Sequence, residues 1–141
     1  MTVGYMNTDS SLTLLREERL GRLGFVCDGE PYVVPVNYVF DGVCVYAHSR
    51  QGHKIEALRV SRRACLQVDR IADDHNWSSV LVHGEYQEIA DANERLEAYC
   101  KLLARFPRLT PVEAFEDHGS PQPGAIVFRI RIDAITGVSS G

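Results

Sequence analysis

The sequence contains no apolar run of the roughly 18 residues that a membrane-spanning helix needs, so we expect no membrane partner. Its first residues, MTVGYMNTDSS, lack both the basic and the apolar segment of a secretory signal peptide, which predicts a cytoplasmic protein. The sequence also lacks an excess of positive charge, since 15 lysines and arginines stand against 19 acidic residues and the formal net charge is −4 at pH 7. A nucleic-acid-binding face must neutralise phosphates with lysine and arginine, so this balance argues against that class of protein.

Paired metal-ligand motifs are also lacking. The four cysteines stand apart, with no CxxC pair, at Cys27, Cys44, Cys65 and Cys100. A zinc site normally shows paired spacing, so the sequence predicts buried free thiols and no metal. The sequence has no P-loop, GxGxxG or GxSxG motif, and it assigns no residue as catalytic.

The 141 residues, 45% of them hydrophobic, predict one domain over residues 1–141. Residues 23–48 contain three β-rich runs separated by Asp28-Gly29 and Asp41-Gly42, dipeptides typical of tight hairpins. Pro35 in the middle run predicts an edge position, a bulge or a distorted ladder, because proline has no N–H to donate. We therefore expect a meander of three antiparallel strands.

Two longer helices and one short helix are predicted around these strands. Helical spacing of apolar residues predicts the first over residues 12–22, capped by Ser11 or Thr13. The short helix is HKIEALRVS, and the last is DANERLEAYCKLLARF, capped by Asp91. Its predicted apolar face consists of Leu96, Tyr99, Cys100, Leu103 and Phe106.

Further strands are predicted at RRACLQVDR, at WSSVLVHGEYQEI with an interruption near Gly84, and at AIVFRIRIDAI. Many antiparallel strands with few helices favour a sheet that protects its edges. We therefore predict a mainly β, α+β domain that forms a closed or nearly closed barrel.

The segment YAHSRQGHKIEALR, residues 46–59, is the best candidate for a functional site. Lys54, one of two lysines in the sequence, lies in the first turn of a predicted helix, where the helix dipole disfavours positive charge. The free N–H groups of that turn, the Ser49 hydroxyl and Lys54 together favour a bound phosphate or carboxylate. The alternative is that Lys54 is simply solvated and His48 is an ordinary strand-end residue.

Two other features leave alternatives open. Trp77 begins a strand, where it is either buried or stacked on a flat ligand. Arg129 and Arg131 alternate with apolar residues, so both lie on one side of the last strand. They form either a solvated face or the basic rim of a pocket.

The stretches PYVVPVNYVFDGVCVYAHSRQGHKIEAL and WSSVLVHGE resemble the flavin-binding split β-barrel proteins related to pyridoxamine 5′-phosphate oxidase. The resemblance extends from about Arg16 to Ile135 and is closest to the group of nitroimidazole-resistance reductases. It implies a six-stranded antiparallel split β-barrel with flanking helices. It also implies a homodimer with two FMN sites at the subunit interface.

The resemblance also suggests which residues hold FMN. The phosphate would be held by His48, Ser49, His53 and Lys54. The isoalloxazine ring would lie along the backbone of Pro35, Val36, Asn37 and Tyr38. Ser79, close to Trp77, would approach the flavin from the partner chain. The sequence departs from the oxidases in carrying His53-Lys54 where they have an Arg-Lys pair.

The function that follows is that of an FMN-dependent oxidoreductase acting on a small molecule with electrons from NADH or NADPH. The flavin would carry out the redox chemistry, which suits a sequence without an obvious acid–base constellation. Two alternatives stay open. One is a non-catalytic flavin- or haem-binding sensor or carrier of the same fold, and the other is a barrel that binds another phosphorylated ligand.

Overall fold

The computed structural model describes residues 2–107 and 125–140. The strands in these ranges are β1 (Val3–Tyr5), β2 (Leu20–Cys27), β3 (Glu30–Asn37), β4 (Val39–Phe40), β5 (Cys44–Arg50), β6 (Arg63–Asp73), β7 (Asn76–Glu88) and β8 (Ala125–Ser140). The helices are α1 (Thr8–Glu17), α2 (His53–Ser61) and α3 (Ala92–Arg105). None of these helices is long and apolar enough to cross a membrane.

The strands form one antiparallel sheet in the order β3-β2-β6-β7-β8-β5-β4, with β1 added beside β8. Six strands have seven or more residues, while β1 and β4 have three and two. Within the described residues no ladder joins β3 to β4 or β5, so the sheet curls around its core but stays open at this seam. The predicted α+β split barrel is confirmed.

The two predicted Asp-Gly turns are confirmed. Asp28 and Gly29 both have positive φ angles, 52° and 79°, as a type I′ hairpin turn requires. They join β2 to β3 in a register that pairs Cys27 with Glu30. At the second turn the Asp41 carboxylate accepts hydrogen bonds from the backbone N–H groups of Val43 and Cys44, both at 2.8 Å.

Helix α1 begins and ends earlier than predicted, so the cap at Ser11 or Thr13 is wrong. Its cap is Asn7, whose side chain accepts a hydrogen bond from the Ser10 N–H at 2.8 Å. The apolar spacing that predicted residues 12–22 continues past the helix, because Leu20 already belongs to β2.

Helix α3 is capped by Asp91 as predicted, but the face that it buries differs. The buried residues are Ala98, Tyr99 and Leu102, whereas Leu96 and Cys100 are exposed. The helix packs with this face against the side of β5 and β8, an orientation that spacing along the chain does not determine. The prediction of buried thiols holds fully for Cys44; Cys27 and Cys65 are half-buried.

The main core lies inside the curled sheet, where α1 and α2 fill the ends. Leu15, Leu23, Tyr38, Ile55, Leu66, Val80 and Val82 are each 0 or 1% exposed. The interruption predicted near Gly84 is a register shift in the β7–β8 ladder. A side chain at Gly84 would collide with the Arg131 carbonyl, so this position requires glycine for close approach of the two strands.

Candidate functional site

The junction between β5 and α2 provides the free helix N-terminus that the sequence predicts. Gly52 is the N-cap of α2 and offers no side chain to the first turn. Lys54 lies half-buried in that turn, and Glu56 is its acidic residue. The N–H groups and the dipole make this end of α2 attractive to an anion, and an anion would also offset the unfavourable position of Lys54.

His48 and Ser49 lie on opposite faces of β5. The Ser49 side chain points to the same side as the buried Val45 and Ala47, and its Oγ donates a hydrogen bond to the Arg50 carbonyl at 2.9 Å. The His48 ring points the other way and meets Tyr99 of α3 edge-on, with 6.0 Å between ring centroids. The structure therefore does not bring these two predicted phosphate ligands to one side of the strand.

His53, at the start of α2, touches the β2–β3 hairpin. Its ring lies edge-on to Tyr32, with centroids 5.0 Å apart, and 6.4 Å from Phe25. Tyr32 and Phe25 stack on each other at 5.6 Å. This contact spans the open seam. β3 is the first strand in the sheet order and β5 is next to the last, and His53 follows β5 in the chain but contacts Tyr32 of β3.

Strand β3 presents the backbone of the predicted ring-binding segment to the open seam. It pairs with β2 alone within the described residues, which confirms an edge position for Pro35. In a two-residue hairpin, hydrogen-bonded pairs alternate from the pair that closes the turn, here Cys27 and Glu30. By this alternation the backbone groups of Pro31, Val33, Pro35 and Asn37 point away from β2.

The side chain of Tyr38 belongs to the core and not to the seam. It is fully buried, and its hydroxyl donates a hydrogen bond to the Leu15 carbonyl of α1 at 2.5 Å. Burial raises the pKa of this phenol well above its usual range, so it stays protonated. Any contact between Tyr38 and a ligand in the seam would have to involve its backbone.

Trp77 and Ser79 lie far from the β5–α2 junction. Ser79 is paired with Val138 of β8, whereas His48 is paired with Val127, eleven residues earlier on the same strand. His48 and Ser79 therefore lie beside positions toward opposite ends of β8. Trp77 is half-buried, and its backbone N–H donates to Ser140 Oγ at 2.9 Å. One chain does not bring these two groups of predicted residues together.

A polar network surrounds Ser79 on the outer face of the sheet, and sequence reasoning missed it. The Gln67 amide donates hydrogen bonds to Ser79 Oγ at 2.9 Å and to Asp69 Oδ2 at 3.0 Å. Arg22 donates to Gln67 Oε1 at 3.2 Å and to the same Asp69 oxygen at 2.8 Å. The available signal was the alternation of polar residues in RRACLQVDR, but the partners lie on three different strands.

An apolar groove of about 300 Å³ adjoins this network on the outer face. Phe25, Val26, Tyr32 and Val33 form its wall on the β2–β3 hairpin. Val33 and Val26 are 68% and 50% exposed, which is unusual for two large apolar side chains on one hairpin. Among the described helices, α1 and α2 pack inside the sheet and α3 packs against β5, so none covers this face.

The fold and the site together define an open, antiparallel β-barrel in which a helix end without a side-chain cap lies beside a strand edge that is unpaired within the described residues. A profile of the family described as pyridoxamine 5′-phosphate oxidase matches residues 7–139. The chain therefore belongs to the pyridoxamine 5′-phosphate oxidase family.

The chain is also similar to one curated protein and to two solved structures. An uncharacterised protein of Rhizobium meliloti (strain 1021) is 30% identical over 144 residues, covering 97% of this chain and 95% of the relative. The crystal structure of an FAD-binding protein from Mesorhizobium loti is 29% identical, covers both chains completely and superposes with a TM-score of 0.85. A proposed 5-nitroimidazole antibiotic resistance protein from Bacteroides thetaiotaomicron shares the fold, with 20% identity, a TM-score of 0.77 and coverage of 98% and 87%.

Proposed function

We propose that this protein is a flavoprotein whose flavin phosphate binds at the N-terminus of α2. The observation that carries the proposal is the N-terminus of α2, which has no side-chain cap and whose N–H groups and dipole favour an anion. The 29% identical relative from Mesorhizobium loti is described as an FAD-binding protein, which supports a flavin as the ligand. Ser49 is near enough in sequence to add a hydroxyl donor from the end of β5.

The isoalloxazine ring would lie in the seam beside the open edge of β3. The carbonyl of Pro35 and the N–H and carbonyl of Asn37 point toward this seam by the alternation of the hairpin. A flat ring with a polar edge can pair with such backbone groups, which no neighbouring strand in the described residues uses. We propose FMN as the flavin, because a single terminal phosphate matches a single helix end.

The protein would act as a homodimer with a cofactor site at each end of the interface. Trp77 and Ser79 lie toward the opposite end of β8 from the β5–α2 junction, which supports a role for them at the cofactor of the partner. The outer face of β2, β6 and β7, with its apolar groove and the network around Gln67, is uncovered by the described helices and suits a second copy of the chain. In such a dimer Trp77 and Ser79 would reach the flavin of the partner.

The activity we propose is reduction of a small molecule with electrons from NADH or NADPH. A bound flavin would accept electrons from the nicotinamide nucleotide and pass them to the substrate. The residues of this chain would hold the phosphate, align the ring against β3 and limit access of water to the seam. No side chain need act as a general acid or base for this role.

The absorption spectrum of the purified protein, before and after incubation with FMN or FAD, tests the proposal. We expect flavin bands on a protein that elutes as a dimer, and bleaching of these bands by NADH or NADPH in the absence of oxygen. A flavin-bound protein that neither nucleotide bleaches would be a carrier and not a reductase. A protein that takes up neither FMN nor FAD would contradict the flavin assignment, and a Soret band would indicate haem.

A further inference from the structure

His53 makes its contacts with aromatic rings of the β2–β3 hairpin. Its ring meets Tyr32 edge-on, at an interplanar angle of 74° and a centroid distance of 5.0 Å. Phe25, 5% exposed, lies behind at 6.4 Å and at 61° to the imidazole. Such edge-to-face geometry is attractive because the positive edge of one ring faces the negative face of the other.

This contact lies at the seam, where no ladder joins β3 to β5 within residues 2–107 and 125–140. The chain passes from Arg50 at the end of β5 to His53 beside β3, two strands that do not pair. Gly52 has no side chain with which to hold the loop, and its backbone is extended. Further along α2, Ile55 and Leu58 are fully buried and anchor the body of the helix. His53 thus adds an aromatic contact between the first turn of α2 and the hairpin.

We infer that His53 is a positioning residue for the flavin site, and that it acts through Tyr32 without binding the phosphate. The contact between His53 and Tyr32 fixes the distance between the first turn of α2, which contains Lys54, and the open edge of β3. One flavin would have to contact both places at once. This inference rests on the proposed function. It also departs from what the family resemblance implies, which is direct phosphate binding at this position.

The inference is tested by comparing His53→Phe with His53→Ala and measuring FMN affinity by quenching of flavin fluorescence. Phenylalanine keeps the ring edge but has no nitrogen, so His53→Phe should bind FMN within about twofold of the unmodified protein. His53→Ala removes the ring and should weaken binding by roughly three- to tenfold, in line with the strength of one aromatic pair. Tyr32→Ala should have the same effect, and the double variant should be no worse than either single one.

Dependence on pH provides a second readout. FMN affinity should change with pH in the same way for the unmodified protein and for His53→Phe, because the imidazole does not touch the phosphate. The inference is overturned if His53→Phe loses as much affinity as His53→Ala, or if its pH profile diverges from that of the unmodified protein. Should His53→Ala fail to fold, His53→Phe alone still decides between the two roles. Failure of the unmodified protein to bind FMN or FAD would instead refute the proposed function.

Discussion

Lys54 has an electrostatic position that its neighbours in sequence do not explain. It lies half-buried in the first turn of α2, where the helix already presents its positive end, and the N-cap is a glycine. Acidic side chains are the residues usually found in this turn, because they offset the dipole. Lys54 is therefore the side chain whose replacement tests the proposed phosphate site most directly.

Replacing Lys54 with alanine should therefore weaken FMN binding by about 1.5–3 kcal/mol, the range for a hydrogen bond to a charged group. The dependence of affinity on salt should also become shallower, because one charge contact is lost. Titration calorimetry at two ionic strengths measures both effects. Lys101→Ala is the matched control. Lys101 belongs to α3 and lies over the Tyr46 ring of β5, so its replacement should leave FMN affinity unchanged. Equal effects of the two substitutions would contradict the role of Lys54.

Glu88 is a second residue whose charge depends on tertiary contacts. Arg59 donates hydrogen bonds to both of its carboxylate oxygens, at 2.8 and 3.0 Å, and these lower the pKa of the Glu88 carboxyl. The Tyr86 hydroxyl adds another hydrogen bond at 2.8 Å and also lowers it. Arg59 belongs to α2 and Glu88 to β7, so the pair fastens the last turn of the helix to the sheet.

A carboxyl with a lowered pKa stabilises the fold above its ordinary value of 4.5, and this contribution is lost as the pH falls through the lower folded value. Glu88→Gln should therefore unfold at lower urea concentration than the unmodified protein at pH 7, and the difference should shrink below about pH 4. Glu97→Gln, at an exposed position on α3, is the control and should show neither effect. A deficit that is constant from pH 7 to pH 3.5 would count against this explanation.

Among the secondary-structure elements, α1 and α3 are joined by one side chain. The Arg105 guanidinium donates hydrogen bonds to the carbonyls of Arg16, Glu17 and Glu18 at 3.0, 2.7 and 2.7 Å. These carbonyls belong to the C-terminal end of α1, where the last C=O groups of a helix have no N–H donor from the helix itself. The Arg19 side chain returns a hydrogen bond to the Arg105 carbonyl and lies over the Phe106 ring.

Arg105→Ala should lower the free energy of unfolding by about 1–2 kcal/mol, because several charge-assisted hydrogen bonds are lost at a partly exposed site. Chemical denaturation measures the change. Arg95→Ala removes an arginine from the first turn of the same helix, and its side chain has no such partner among the described residues, so it should change stability by less than about 0.5 kcal/mol. If both variants lost a similar amount of unfolding free energy, the hydrogen bonds from Arg105 to the end of α1 would contribute little to stability.

At the scale of the whole molecule, the separation of the two groups of predicted site residues is the central feature. The β5–α2 junction and the Trp77–Ser79 segment lie toward opposite ends of β8. The proposed flavin site brings them together by pairing two chains. The proposed flavin site therefore requires the dimer, because it uses residues of both chains.

Mixing two defective variants tests this arrangement. Lys54→Ala and Trp77→Ala should each weaken FMN binding when all subunits carry the same change. A heterodimer of the two variants, purified by two different tags, should regain one site of unmodified affinity per dimer, because one interface receives both intact residues. If each chain used its own Trp77, no site in the heterodimer would be intact, and affinity would stay low.

The turns, one helix cap and the irregular positions of the strands are determined by short stretches of the sequence. The turns at Asp28-Gly29 and Asp41-Gly42, the cap at Asp91 and the strand pattern around Pro35 and Gly84 all follow from steric and hydrogen-bonding preferences of a few adjacent residues. The two features at the start of α2 on which the proposed anion site depends, Gly52 as N-cap and Lys54 in the first turn, can also be read from the sequence.

Contacts between distant segments decided the rest. The contacts at the C-terminal end of α1, the buried face of α3 and the edge contact of His53 with Tyr32 each depend on partners far away in the chain. His48 and Ser49 are neighbours in sequence, yet a strand turns them to opposite sides. Trp77 and His48 belong to the same predicted site, yet the register of β8 holds them apart. Composition and local pattern carry no information about such distances, because they arise only when the whole sheet has paired.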